Sequence, residues 1–152
     1  MTDPGNILRR SLEFHGKCGL GNQIGSCSSN DVNAKHPPEL VLANTRECLA
    51  LTRAALPKVR VVLVSVIRAP QKRDAGYLPH VDEINQGLRA LTAGSPDMDY
   101  VDVNPALETP EGEAATECYV ADKLHLTREG YRRMATVLKP VLTSRWKPAE
   151  TH

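Results

Sequence analysis

The run Val59-Arg60-Val61-Val62-Leu63-Val64-Ser65-Val66-Ile67 constrains the fold of this chain more than any other stretch. It is rich in β-branched residues and its apolar character is nearly continuous. A strand with one face in water would alternate apolar and polar residues, whereas a continuous apolar strand is typical of a parallel sheet that is covered on both faces. The run therefore predicts a parallel sheet enclosed between two other layers.

Helices and a second strand are predicted around this run. The predicted elements are a helix at residues 38–56, a strand at 59–67, a helix at 81–92, a strand at 100–103 and a helix that begins after Thr127. Residues 68–76 and 105–118 are expected to be loops, the first rich in charge and the second polar. Alternating strands and helices indicate an α/β fold with three layers, α/β/α, formed by residues 1–152 as a single domain.

The first 30 residues show no persistent period, and glycines interrupt what could have been a strand. No core strand is predicted there, and residues 1–25 are expected to be an atypical N-terminal segment. A parallel sheet without its first strands would expose unpaired backbone groups on one flank of the run at residues 59–67, or of a strand made from residues 20–29. Such an edge favours self-association, so a homodimer formed through the sheet edge is expected.

Asp122 and His125 are the candidate catalytic residues. A carboxylate on one ring nitrogen of a histidine fixes the tautomer, which leaves the other nitrogen free to take a proton from a nucleophile. Thr127 is a plausible N-cap for the helix that follows. An apolar stripe should anchor that helix on the core, and its residues are Tyr131, Met134, Ala135, Leu138, Val141 and Leu142.

The same pair also has plainer interpretations. Asp122 alone could cap the loop, and His125 could simply flank the helix. A metal site that combines both with Cys118 is a further alternative, but the cysteines at positions 18, 27, 48 and 118 include no Cys-x-x-Cys pair. Reduced thiols, no metal and no cofactor are therefore predicted.

The surroundings of this pair resemble the last conserved block of the SGNH, or GDSL-type, hydrolases. The matching residues are Asp122, His125, Leu126, Thr127, Gly130, Tyr131 and Ala135. Other blocks of the family are matched in order by Ser29-Asn30-Asp31, Pro38-Glu39, Asn44 and Leu56-Pro57. The resemblance covers about residues 26–142 and implies a flavodoxin-like α/β/α fold and the hydrolysis of carboxylic esters, as in esterases and lipases.

The resemblance also implies roles for individual residues. In this family His125 would be the general base of a Ser-His-Asp triad and Asp122 would orient it. Asn30 would donate a side-chain N–H to the oxyanion of the transition state. The chain departs from the family two residues before Asn30, where Ser28 replaces a glycine.

A nucleophile is not identified. The family's serine lies in an N-terminal Gly-Asp-Ser block, and the chain contains no such tripeptide. Ser26 and Ser29 are the candidates, although Gly25-Ser26 lies too close to Asn30 to come from a separate strand-to-helix turn. The resemblance therefore implies a member whose N-terminal strands are shortened, missing or rearranged. Two functions remain open: an esterase, or a catalytically impaired or inactive module that binds a partner or dimerises.

The charge of the chain limits its partners. The 19 basic and 18 acidic side chains leave a net charge of +1, which favours neither nucleic acid nor a membrane surface. No apolar run approaches the roughly 18 residues that cross a bilayer, and no signal peptide is visible. A small-molecule ester is the expected partner, and a cytoplasmic location is expected.

Overall fold

The computed structural model of the chain describes residues 22–26 and 29–145. At residues 22–26, 29 and 145 the description covers the backbone only. The strands are β1 (Asn22–Ser26), β2 (Arg60–Val64) and β3 (Met98–Val101). The α-helices are α1 (Ser29–Asn33), α2 (Pro38–Ala55), α3 (Pro70–Asp74), α4 (Leu78–Thr92) and α5 (Arg128–Arg145). Two short 3₁₀ helices, Asn104–Leu107 and Thr116–Cys118, lie between β3 and α5.

The three strands form one parallel sheet in the order β1-β2-β3. Strand β2 lies in the centre, and its pairing opposes Val62 to Ile24 on one side and Val64 to Val101 on the other. Because the strands are parallel, their carboxyl ends meet at one edge of the sheet, where ligands bind in open sheets of this kind. The loops that follow the strands therefore converge on that edge.

Two apolar clusters cover the two faces of the sheet. On one face the side chains of β2 and β3 pack against α5, through Val62, Val64, Val101, Val103 and Leu138. On the other face they pack against α2 and α4, through Val61, Leu63, Met98, Val41, Ile84 and Leu88. Helices thus cover the sheet on both sides, and the predicted three-layer α/β fold is confirmed.

The prediction that the first 30 residues hold no core strand is wrong at residues 22–26. These residues form β1, which pairs with β2 along its whole length. The local sequence disfavours a strand because Asn22, Gln23 and Gly25 supply little to pack. Pairing satisfies the backbone N–H and C=O groups along the facing edges of β1 and β2, and this outweighs local propensity. The outer strands of the described sheet are therefore β1 and β3, and not the apolar run that forms β2.

The loop predicted at residues 68–76 contains helix α3, which corrects that prediction. Pro70 stands at the start of the helix, where its missing N–H would be unsatisfied in any case. Lys72 and Arg73 lie in the last turn, where cations suit the negative end of the helix dipole. Five residues are too few to display a helical period, so the sequence pattern did not reveal the helix.

The apolar stripe predicted on α5 is correct only in part. Met134, Leu138, Val141 and Leu142 pack against the core, and so does Val137, which the stripe omitted. The remaining two residues of the stripe are exposed: Tyr131, at 57% of its surface, and Ala135. The buried face of α5 is therefore rotated towards residues 134, 137 and 141. Among the helices that the structure describes, none is both long and apolar enough to cross a bilayer.

Candidate functional site

The loop that carries Asp122 and His125 closes on itself through backbone hydrogen bonds. Residues 119 and 126 form an isolated antiparallel bridge, and the Val120 N–H donates to the His125 carbonyl at 2.9 Å. The Lys123 N–H donates to the Val120 carbonyl at 2.9 Å. Lys123 itself has a φ of 59°, in the left-handed region, which lets the chain turn sharply between Asp122 and His125.

Both oxygens of the Asp122 carboxylate are used within this loop. Oδ1 accepts the backbone N–H groups of Leu124 at 2.8 Å and of His125 at 2.9 Å. Oδ2 accepts from Nδ1 of the His125 ring at 2.6 Å. One oxygen of Asp122 therefore caps the loop, and the other holds the His125 ring.

The electrostatics of the pair favour an ionised carboxylate. The hydrogen bond from the His125 ring, and after it the backbone N–H groups of His125 and Leu124, lower the pKa of Asp122 to about 2. The His125 side chain is 73% exposed, so its ring is accessible from solvent. With Nδ1 bound to a carboxylate, Nε2 is the nitrogen that can accept a proton.

The pKa of Asp122 provides a direct test of this geometry. We expect its carboxyl to titrate near pH 2 in the wild type and to shift back towards its ordinary value of 3.8 in His125→Ala, because the ring supplies the largest stabilisation of the charged form. Since the folded-state pKa is lowered, the carboxylate stabilises the fold above pH 3.8, and this contribution is lost as the pH falls through about 2. Carbon-detected NMR of the carboxyl group across this range measures both values. If the pKa of Asp122 were the same in His125→Ala as in the wild type, the hydrogen bond between Asp122 and the His125 ring would be contradicted.

Thr127 joins the loop to α5 and is the N-cap that the sequence predicted. Its hydroxyl accepts the Gly130 N–H at 3.2 Å and donates to the Glu117 carbonyl at 2.6 Å. Its backbone N–H donates to the Cys118 carbonyl at 2.9 Å. The start of α5 and the two sides of the loop are therefore fixed together around one threonine.

Helix α3 holds the other side of the loop. The Gln71 N–H donates to the Lys123 carbonyl at 3.0 Å, and Lys123 Nζ lies 3.0 Å from Asp74 Oδ2. From the same helix, Lys72 Nζ donates to Asn33 Oδ1 of α1 at 2.9 Å. Helix α3 therefore contacts both the loop of His125 and the short helix that begins just before Asn30. Sequence analysis missed these contacts, and Pro70 after the β2 strand was the one signal that a helix starts there.

Asn30 is the second residue of α1 and is exposed. It follows β1 by a few residues, so it stands at the carboxyl edge of the sheet. Its neighbour Asp31 accepts from the His36 ring, with Oδ1 and Nδ1 3.1 Å apart. Asn30 and the loop of His125 are thus connected through α1 and α3, and the described side chains show no hydrogen bond between Asn30 and His125.

The candidate nucleophiles lie around this turn. Ser26 is the last residue of β1 and Ser29 the first of α1, so both belong to the same strand-to-helix connection as Asn30. Their side chains, like Cys27 and Ser28, lie outside the described residues. Among the side chains that are described, Asp122 is the only one that hydrogen-bonds the His125 ring.

A metal site is not supported at this position. Cys118 is fully buried, and burial raises the pKa of its thiol, which disfavours the thiolate that binds metals. Within residues 22–26 and 29–145 no group of three or more His, Cys, Asp or Glu side chains could hold a metal ion.

A separate cavity of about 340 Å³ lies beside β3 and α4. The Arg89 guanidinium lies 4.9 Å from the centre of the Tyr100 ring at this cavity. Burial raises the pKa of Tyr100 to about 12, so its phenol stays protonated at neutral pH. Neither Asp122 nor His125 lines the cavity.

The fold and the site together define a three-layer α/β protein with a parallel sheet and an Asp-His pair on the loop that precedes its last helix. The model of the GDSL-like lipase/acylhydrolase family matches residues 26–133, and the chain belongs to that family. The matched range includes Asn30, Asp122 and His125. No sequence among the curated proteins matches the chain.

Solved structures share the fold at low sequence identity. A GDSL-like lipase from Bacteroides thetaiotaomicron is 20% identical, with a TM-score of 0.75, over 95% of this chain and 73% of the other. A member of the lipolytic G-D-S-L family from Veillonella parvula is 19% identical, with a TM-score of 0.71, over 93% and 75%. A carbohydrate esterase of family 3 from Talaromyces cellulolyticus is 16% identical, with a TM-score of 0.71, over 95% and 68%. At these identities the likeness concerns the fold.

Proposed function

We propose that this protein hydrolyses small carboxylic esters, with His125 as the general base, Asp122 as the residue that orients it and Asn30 as the side-chain donor to the oxyanion. The observation that carries the proposal is the contact of 2.6 Å between His125 Nδ1 and Asp122 Oδ2 on an accessible loop. Membership of the GDSL-like lipase/acylhydrolase family supports the choice of ester chemistry. The location of Asn30 at the carboxyl edge of the parallel sheet supports its role.

The proposed reaction uses His125 as the proton acceptor and Asn30 as the donor to the oxyanion. A nucleophilic oxygen attacks the acyl carbon while its proton moves to His125 Nε2, and the carbonyl oxygen becomes an oxyanion that accepts the N–H of Asn30. Asp122 stabilises the imidazolium that forms. The intermediate then collapses, and His125 returns the proton to the departing alcohol. With a serine as nucleophile, water repeats the sequence to release the acid.

The nucleophile is the hydroxyl of Ser26 or of Ser29, or a water molecule that His125 activates directly. Release of p-nitrophenol from short-chain esters, measured beside labelling with a serine-directed phosphonate, distinguishes these routes. We expect one adduct, located by peptide mass spectrometry and absent from either Ser26→Ala or Ser29→Ala. Turnover without any adduct would indicate the water route. No turnover above that of His125→Ala would contradict the proposed function.

Asn30 provides a second test. Replacing Asn30 by aspartate keeps the shape of the side chain, removes its N–H donor and adds a negative charge beside the oxyanion. We expect kcat to fall on the order of a hundredfold or more, because this is the typical effect of removing one oxyanion donor. Asn44→Asp, which makes the same change on helix α2, is the matched control. An equal effect of the two variants would mean that Asn30 has no special role.

One observation favours a second candidate function, a catalytically impaired or inactive module that binds a partner. The chain contains no Gly-Asp-Ser tripeptide, the block that carries the nucleophile in the family. The phosphonate experiment discriminates between the two candidates, because an inactive module would give neither an adduct nor turnover sensitive to His125→Ala.

A further inference from the structure

Lys72 is a fully buried cation on helix α3. Its Nζ donates to Asn33 Oδ1 at 2.9 Å. Burial lowers the pKa of this ammonium group, since removing a charge from water is costly. Lysine is rarely buried in full unless it is paired, and Asn33 is one of the partners of Lys72.

Helix α3, which carries Lys72, contacts both halves of the candidate site. Gln71 and Asp74 hold Lys123, which lies in the turn between Asp122 and His125. Lys72 holds Asn33, the last residue of the helix that carries Asn30. One short helix therefore contacts both the loop of the proposed general base and the helix of the proposed oxyanion donor.

Helix α1 depends on such outside contacts for its orientation. An isolated helix of five residues is unstable in water because nucleation is costly. At its C-terminal end, the Ala34 N–H donates to the Asn30 carbonyl, the Lys35 N–H to the Val32 carbonyl and the His36 N–H to the Asp31 carbonyl. Its described anchors include Val32, which is 1% exposed and packs in the core, and Asn33, which meets Lys72. The residues after it are also held, because the His36 ring bonds Asp31 and the His36 carbonyl accepts from His80 Nε2.

We propose that Lys72 is a positioning residue that, through Asn33, fixes helix α1 and so sets the place of Asn30 relative to His125. This inference rests on the proposed function, because it assigns Asn30 to the oxyanion. Lys72 does not touch the substrate, and the chemical step does not use its proton. Its effect is geometric: it keeps the oxyanion donor and the base at a fixed separation while both lie on short, exposed segments.

Substitutions on both sides of the contact test the proposal. Lys72→Met keeps an unbranched side chain of similar length, and Asn33→Ala removes the acceptor from an exposed position. We expect either change to lower kcat by roughly ten- to a hundredfold with little change in KM, since displacements near 1 Å of a catalytic group have effects of this size. Asn33→Asp keeps an acceptor oxygen for Lys72 and should retain most of the activity. Arg73→Met removes an exposed cation from the same helix and is the control.

A double-mutant cycle with Asn30→Ala separates positioning from simple loss of stability. If Lys72 acts through Asn30, then Lys72→Met should have no further effect on kcat once Asn30 is alanine. If Lys72→Met lowers kcat by the same factor in the wild type and in Asn30→Ala, the proposal is overturned.

Hydrogen exchange gives a readout that does not depend on activity. We expect the amides of Ala34 and His36 to exchange faster in Lys72→Met and in Asn33→Ala, while the amides of β2 keep their protection. Unchanged exchange at Ala34 and His36, or a uniform loss of protection across the chain, would overturn the proposal. If the wild type shows no ester turnover, the proposed function fails, and exchange alone then decides whether Lys72 holds α1.

Discussion

Replacing His125 by alanine is expected to lower kcat for ester hydrolysis by about a thousandfold or more, with a much smaller change in KM. The ring is the proton acceptor of the proposed reaction, and the described residues include no second histidine that contacts Asp122. Because the side chain is 73% exposed, its removal leaves no cavity in the core. The loss should therefore appear in kcat without a comparable loss of the free energy of unfolding, which denaturant titration of both proteins measures.

His80→Ala is the control for this prediction. It removes another imidazole, whose Nε2 donates to the His36 carbonyl at 2.7 Å and which lies on helix α4. We expect its kcat to stay within a few-fold of that of the wild type. If His125→Ala retained wild-type turnover, His125 would not be the base, and the activity would have to be assigned to another site.

Gly130→Ala is expected to destabilise the protein by about 2 to 3 kcal/mol and to lower ester turnover as well. A Cβ at this position would lie 2.4 Å from the carbonyl oxygen of Cys118, a backbone atom that cannot move aside alone. The same carbonyl accepts the Thr127 N–H at 2.9 Å. Relief of the clash must therefore separate the start of α5 from the loop of Asp122 and His125. Thermal or denaturant unfolding gives the stability, and the ester assay gives the turnover.

Gly87→Ala is the matched control, since it makes the same change inside helix α4. There a Cβ would meet the side-chain tip of Leu42, 2.3 Å away, which can rotate to another conformation. Alanine is also the better helix former, by about 1 kcal/mol. We expect the stability of this variant to stay near that of the wild type and its turnover to be unchanged. Equal destabilisation by the two substitutions would show that the Cys118 carbonyl yields as readily as a leucine side chain.

Sequence alone was sufficient where the interactions are local or where the pattern is long. The run at residues 59–67 predicted a strand buried on both faces, and β2 is that strand, in the centre of the sheet. Asp122 and His125 are three residues apart, so a single tight turn is enough to bring carboxylate and ring together. Thr127 caps α5 through its own hydroxyl, within three residues of its partner. The order of weakly matching blocks was sufficient to indicate the family, which the match over residues 26–133 shows.

The tertiary structure decided what depends on partners distant in the chain. Strand β1 has little strand propensity and forms because the edge of β2 offers backbone partners to residues 22–26. Helix α3 is too short to show a period, and the buried Lys72 donates to Asn33, 39 residues away. The face of α5 that packs is set by the sheet beneath it, and so Tyr131 is exposed although the pattern placed it in the stripe. Periodicity and spacing report the local preferences of a segment. The pairing of β1, the formation of α3 and the buried face of α5 depend instead on contacts with residues distant in the sequence.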